Sequence, residues 1–315
     1  MSEVVVAGAY GGPEVLSVIE EAVPDPGPGQ VRIAVRAAGV NPFDHKMYSG
    51  VFGTDPANLP MRLGAEAAGV VTAVGARANG PAGPIAVGDE VIAYRAPGAY
   101  AAELVVPASS VVPKPAVLSW EQAGGLMVTG VTAVHALEAI GLRNGESVLI
   151  HGAAGGVGLT AVQMAVARGA TVLATASPAK HDLLRDLGAI PVAYGPGLAG
   201  RVRAAAPDGV DAAADLVGTD EAVDVSSELV ADRARIATIA AFQRGARAGI
   251  KLLGGGPGAD PGTDIRAAAR LQLTEAAGTG RLRVLVAGSF PLREAAAAHH
   301  QIMTGHTTGK IVLVP

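Results

Sequence analysis

The chain contains no cysteine. Disulfides, thiol nucleophiles and thiolate zinc sites are excluded together, and thiol content sets no constraint on redox compartment. Aromatic residues are scarce, with four Phe, five Tyr and one Trp. The walls of a substrate site are therefore mostly aliphatic unless Phe43, Phe52 or Tyr48 turns inward. Runs of basic residues are also missing. The 24 Lys and Arg are scattered, and against 28 Asp and Glu they leave a formal net charge of −4. That balance argues against a nucleic-acid or polybasic membrane surface and for small-molecule chemistry. The opening "MSEVVVAGAYGGPEV" has no basic n-region and no sustained apolar stretch. No signal peptide is expected, and the cytoplasm is the expected location.

One long uncharged run does occur, from Ser147 to Ala167, and its length raises the question of a membrane span. Its first half holds Gly152, Gly155, Gly156 and Gly158, which would weaken a continuous helix. A β-branched run, then glycines, then apolar residues at helical spacing read as strand, tight turn and helix. No membrane partner is expected.

With 315 residues, half of them apolar, the chain has material for two cores. Up to about Pro115 it is dense in short β-branched segments cut by Gly and Pro, such as "QVRIAVRAAGV", "AAGVVTAVG", "DEVIAY" and "AAELVVP". This part reads as a mostly β domain. From Ser119 helical and strand patterns alternate: "SWEQAGGLMVTGVTAVHALEAI" as a helix, "SVLIHGA", "TVLATAS", "AIPVAYG", "VDAAADLVG", "ARIATIAAF" and "GIKLLGG" as strands, with helices between. That alternation predicts an α/β, doubly wound parallel sheet. "GGGPGADPGTD", from Gly254 to Asp264, reads as a flexible loop or hinge. A helix and the terminal strand "GKIVLVP" follow, and there is no internal repeat.

After "SVLIH", Ala153, Gly155 and Gly158 take the three glycine positions of a dinucleotide fingerprint, with Ala in the first. The helix that starts there aims its N-terminal N–H groups at a pyrophosphate, so Gly156 and Val157 join the candidate cofactor loop. The acidic residue that would bind a ribose 2′-hydroxyl about twenty residues later is missing: no Asp or Glu lies between Glu146 and Asp182. Instead "ATASPAK" offers the Ser177 hydroxyl and the Lys180 ammonium to a 2′-phosphate, which favours NADP(H) over NAD. Charge-assisted contacts of about 1.5–3 kcal/mol correspond to a preference of roughly ten- to a hundredfold.

Across nearly its whole length the chain resembles the zinc-free quinone oxidoreductases of the medium-chain dehydrogenase/reductase superfamily. "GPGQVRIAVRAAGVNPFDHKMYSG", "LGAEAAGVVTAVG", "GAYAAELVVP", "AAGGVGLTAVQMA" and "FPLREAAAAHHQIMTGHTTGKIVLVP" are similar to segments of that family, in its order. The resemblance implies a GroES-like substrate domain (1–117 and 263–315) interrupted by a Rossmann NADP-binding domain (118–262), with the active site in the cleft between them. It implies that Lys180 and Tyr194 read the 2′-phosphate and that Thr132, in "VTGVTAV", lies near the nicotinamide, which Phe242, expected at a strand end, would border. It also implies a homodimer formed edge to edge through a strand such as "GIKLLGG".

Zinc alcohol dehydrogenases share this architecture, so the metal question turns on residues. Asn41 stands where those enzymes place a catalytic cysteine, and Ala65 where they have the histidine of a Gly-His-Glu motif. His299 and His300 are adjacent and face apart on a helix, and the remaining histidines lack paired ligand spacing. No metal is expected. Without a Lewis acid, an acceptor that is already electrophilic is favoured: a quinone or an α,β-unsaturated carbonyl. In "VNPFDHKMYSG", Asn41 is a candidate to bond the nicotinamide ribose or the substrate. Lys46 and Tyr48 are candidates to donate to a developing oxyanion, and Asp44 to orient or pair with Lys46. The most similar quinone oxidoreductases have Asn-x-x-Asp-x-Tyr, whereas Lys46 here resembles the branch that includes enone and enal reductases. Two alternatives stay open: a catalytically silent NADP-binding relative, and an enoyl reductase for carrier-bound polyketide-type substrates.

Overall fold

The computed structural model describes residues 1–256 and 258–315. They form two compact units, Met1–Val128 with Arg270–Pro315, and Thr129–Ala269.

The first unit is built on a sheet that runs, edge to edge, Val111–Pro113, Glu90–Tyr94, Glu66–Val74, Gln30–Val40, Lys310–Val314 and Val286–Pro291. Its pairings are antiparallel except the last, which is parallel. Glu103–Pro107 also pairs with Gln30–Val40. Alternation sets the faces. In "QVRIAVRAAGV" Val31, Ile33 and Val35 enter the core while Gln30, Arg32 and Ala34 stay half-exposed, as period-2 patterning requires. The same core takes Val71, Leu104, Val106, Ile311 and Leu313, so the chain's terminal strand is part of this unit's core.

In the second unit six parallel strands lie in the order Ile190–Ala193, Thr171–Ala176, Ser147–His151, Ala212–Asp215, Ile236–Thr238, Lys251–Leu252. Strand order outward from the first strand in both directions is the doubly wound pattern the alternation predicted. Strands buried on both faces should be apolar throughout, and Ala212, Ala213 and Ala214 are all fully buried. The uncharged run divides into the strand Ser147–His151 and the helix Gly156–Ala167. Among the described residues no helix is long and apolar enough to cross a membrane.

Three local expectations are corrected. The single helix read from Ser119 onward is two, Trp120–Gly124 and Met127–Ala139. The break falls where a Cβ at Gly124 would lie 2.7 Å from Ala37 O and one at Gly125 would lie 3.1 Å from the Lys310 stem. The shorter helix packs on Gln30–Val40 and Glu66–Val74, which carries the first unit past the expected boundary at 117. Phe242 does not end a strand: Ile236–Thr238 stops earlier, and Phe242 opens the helix Phe242–Ala248. The expected loop Gly254–Asp264 includes Pro257, which lies outside the described residues. Within its described part the Gly254 N–H donates to Asp260 O at 2.8 Å, and the helix Thr263–Gly278 begins.

Candidate functional site

The cofactor-loop residues gather at the C-terminal ends of the parallel strands, the side where open α/β sheets bind ligands. The tight turn falls at Gly152, with φ +70°, and not at Ala153, where the fingerprint alignment put it. Ala153 is fully buried, and its N–H donates to Thr175 O at 3.1 Å. Gly158 is a steric requirement: a Cβ there would overlap Gly152 O and lie 2.7 Å from the Ala153 carbonyl carbon. At Gly155 a Cβ would meet only Gly152 O, at 3.4 Å. Gly155 is the N-cap of Gly156–Ala167 and no side chain caps that helix. The first N–H groups, those of Gly156, Val157 and Gly158, are thus left for an anion.

The next strand over, Thr171–Ala176, leads into Ser177, whose side chain caps nothing, and Lys180, half-buried at the end of a short 3-10 turn. The strand beyond ends at Ala193, placing Tyr194 at the same sheet edge with 55% of its surface exposed. Thr132 sits on Met127–Ala139, almost buried, and its hydroxyl oxygen accepts from Arg266 Nη1 at 3.3 Å. Among the described residues the hydroxyl proton has no acceptor. At the far side of the sheet the Phe242 ring packs over Gly256, where a Cβ would lie 3.2 Å from its edge.

In the other unit the helix Pro42–Tyr48 carries the remaining candidates. Asn41 is its N-cap, and the Asp44 carboxylate reaches back to the Asn41 N–H at 2.8 Å, as in a capping box. The Asn41 side chain is almost completely buried. Its Nδ2 donates to Glu66 Oε1 at 3.1 Å and to Gly39 O at 3.3 Å, and its Oδ1 accepts from Lys310 Nζ at 2.6 Å. Lys310 Nζ also donates to Glu66 Oε1 and to Val40 O, both at 3.0 Å. Glu66 Oε2 accepts the Val128 N–H at 2.8 Å. Glu66 is 0% and Lys310 4% exposed, and a charge is held at such depth only when paired and bonded. The backbone makes room for them: a Cβ at Gly39 would overlap Glu66 Oε1 and lie 2.6 Å from Gly124 O.

Tyr48 and Asp44 do not play the parts expected of them. Tyr48 is fully buried and its hydroxyl lies 2.7 Å from His299 Nδ1, so it faces protein and not a ligand. Asp44 does not pair with Lys46; its Oδ2 serves the Asn41 N–H and the Tyr100 hydroxyl, the latter at 2.8 Å. Tyr100 in turn lies 3.1 Å from His299 Nε2. Because Tyr100 donates to Asp44, bonding assigns the Nε2 proton to His299, and Tyr48 then donates to Nδ1. Burial lowers the His299 pKa to about 4, with His45 and His300 adding to it, which keeps the ring neutral. Burial raises Asp44 to about 6, against the opposing bonds from Tyr100 and Asn41 and the Lys310 charge. Lys46 is half-buried, and among the described residues its ammonium has no hydrogen bond or ion pair.

Glu66, Lys310 and Tyr100 were not singled out from sequence, and His299 was weighed only as a metal ligand. A signal existed for the first two, since a lone charge inside an apolar strand, as in "GAEAAGVV" and "GKIVLVP", demands a buried partner.

Residues 27–116 match the alcohol dehydrogenase GroES-like domain and 187–313 the zinc-binding dehydrogenase family. The spectinabilin polyketide synthase system protein NorB of Streptomyces orinoci is 38% identical over 316 residues, 95% of this chain, but this chain spans only 14% of that protein. The quinone oxidoreductase of Pseudomonas aeruginosa is 35% identical over 326 residues, covering 98% of both chains. The chain belongs to the quinone oxidoreductase family. The structure of the Escherichia coli quinone oxidoreductase in complex with NADPH matches with a TM-score of 0.85 at 27% identity, covering 99% of this chain and 100% of that one.

In this member of the quinone oxidoreductase family the residues do not fit the zinc ion that the second domain description names. Asn41 and Ala65, which the resemblance sets against zinc ligands, carry no thiolate or imidazole, and the neighbouring carboxylate of Glu66 is paired with Lys310 at 3.0 Å. Among the described residues no three His, Asp or Glu side chains gather as a metal-binding group. The uncapped helix, the open Ser177–Lys180 corner and the exposed Tyr194 do fit a phosphorylated dinucleotide.

Proposed function

We propose that this quinone oxidoreductase family member is an NADPH-dependent, zinc-independent reductase of quinones and α,β-unsaturated carbonyl compounds. The observation that carries the reading is the Lys310 ammonium bonded to Asn41 Oδ1 and Glu66 Oε1: a fixed internal cation occupies the ground on which a metal would otherwise be held. Bound NADPH supplies a hydride. The N–H groups of Gly156, Val157 and Gly158 take the pyrophosphate, while Ser177, Lys180 and Tyr194 take the 2′-phosphate. Thr132 offers its hydroxyl proton to the nicotinamide amide, and Phe242 bounds the ring. Lys46, whose ammonium is unpaired among the described residues, donates to the oxygen that gains charge. A quinone or enone needs no further polarisation, which suits a site without a Lewis acid.

The similarity to a polyketide synthase protein favours one second reading, reduction of carrier-bound enoyl substrates. Edge pairing of two copies through Lys251–Leu252, the last strand of its sheet, belongs to the main reading and is checked by light scattering. The cofactor assignment is tested by fluorescence titration with NADPH and NADH. NADPH should bind about ten- to a hundredfold more tightly, and Lys180→Ala should remove most of the difference. Equal binding of both cofactors would contradict it.

A further inference from the structure

We propose that Glu66 and Lys310 are positioning residues that leave one lone pair of the Asn41 amide oxygen as the only hydrogen-bonding valence a ligand can use. Asn41 therefore accepts from an O–H or N–H of a ligand and does not donate to the oxygen that is reduced. This rests on the reading that Asn41 meets the cofactor or the substrate. An amide offers two N–H donors and two oxygen lone pairs. Both donors are taken, by Glu66 Oε1 and Gly39 O, and one lone pair is taken by Lys310 Nζ; the Asp44 N–H, which the capping box sets beside the Asn41 side chain, spends its hydrogen bond on the Asn41 main-chain oxygen at 2.9 Å. The two charged partners specify the same orientation independently. An ammonium has no lone pair and faces only the amide oxygen; a carboxylate has no proton and faces only the amide nitrogen. Lys310 is itself saturated, its three protons going to Val40 O, Asn41 Oδ1 and Glu66 Oε1. Both Glu66 oxygens are occupied as well. The array cannot turn the amide over without stranding a buried charge, so the valence it presents is fixed as an acceptor.

Acceptor and donor are separated by the Asn41→Asp variant. The carboxyl it introduces keeps the shape of the amide and still accepts from Lys310. Toward Glu66 it must hold a proton, because two ionised carboxylates at hydrogen-bond distance repel strongly. The charged and titratable groups packed around it are Glu66 and Lys310 from the two strands and Asp44 from the helix, with Tyr100 and His299 behind Asp44. With that proton in place the donation to Glu66 and the acceptance from Lys310 are kept, and only the 3.3 Å bond to Gly39 O is lost. Once it leaves, Lys310 alone faces two negative charges.

The experiment measures NADPH affinity by fluorescence and quinone KM for the variant relative to wild type at each pH, together with both melting temperatures. At acid pH the variant should stay within about threefold of wild type, and as pH rises it should weaken by about tenfold or more. A change in NADPH affinity identifies the partner as a cofactor hydroxyl, and a change confined to quinone KM identifies a substrate hydroxyl. The stability gap between the two proteins should widen with pH in parallel. A loss of about tenfold or more already present at acid pH and unchanged as pH rises would mean that Asn41 donates, and would overturn the proposal. A stability gap independent of pH would overturn it too, whether or not NADPH binds. Failure of the wild-type protein to bind NADPH would instead remove the reading beneath it, and the melting temperatures would still decide the positioning.

Discussion

Replacing Lys310 with methionine keeps the unbranched stem as far as Cε and removes the ammonium with its charge. What is left behind is the Glu66 carboxylate, 0% exposed, still accepting the Val128 N–H and Asn41 Nδ2 but with no cation. Removing one partner of a buried pair costs about 3–5 kcal/mol, because the other charge stays buried and uncompensated. For a unit of this size each kcal/mol moves the melting temperature by about 2–4 °C, so Lys310→Met should lower it by roughly 6–20 °C. The companion variant Glu66→Gln/Lys310→Met removes both charges. Its neutral amide can still accept the Val128 N–H, so most of the loss should return. The assay is thermal unfolding of the wild type, both single variants and the double variant as a cycle. A single-variant loss of under about 1 kcal/mol, or a double-variant loss equal to the sum of the singles, would refute the claim that the two charges depend on one another.

Gly158→Ala should destabilise the protein, since its Cβ would overlap Gly152 O, whereas Gly155→Ala, with only a 3.4 Å contact, should fold normally and lose NADPH affinity; melting and titration separate the two. Tyr48→Phe leaves His299 Nδ1 without its donor and should cost about 1–3 kcal/mol with kcat unchanged. A tenfold fall in kcat at unaltered stability would restore Tyr48 to a catalytic part. Asp44 is raised from 3.8 to about 6, so its contribution is fully present below its unfolded pKa and is lost as pH rises through about 6. His299 is lowered from 6.5 to about 4, so its contribution is lost as pH falls across that interval. The two offset one another, and Asp44→Asn should therefore lose stability more steeply than wild type between pH 6 and 4, as read from urea midpoints. Lys46→Met should lower kcat with little effect on melting, because among the described residues its ammonium has no hydrogen bond or ion pair.

The architecture was legible because it is written in local patterns. Alternation in "QVRIAVRAAGV" and the strand–glycine–helix order around Gly152–Gly158 need only neighbouring residues to be read, and the structure follows both. Local patterns also misled: an apolar stretch from Trp120 to Ala139 reads as one helix, and only the approach of Ala37 and Lys310 to Gly124 and Gly125 breaks it. The interior of the candidate site was hidden for the same reason. Tyr48 and His299 are 251 positions apart, and Asn41 and Lys310 are 269 apart. Nothing in "DHKMYSG" shows that its tyrosine faces inward and its lysine does not. Spacing did indicate what was missing: no acidic residue lies between Glu146 and Asp182, and the strand Thr171–Ala176 leads instead into Ser177 and Lys180.

The most direct test of the central claim is the rate of NADPH oxidation by the purified protein against quinones, enones, enals and simple ketones, with NADH as the paired control and a strong chelator in parallel. The account predicts turnover of quinones or enones, preference for NADPH, no effect of the chelator and little activity on simple ketones. Chelator-sensitive reduction of simple ketones, or tight NADPH binding with no acceptor reduced, would contradict it.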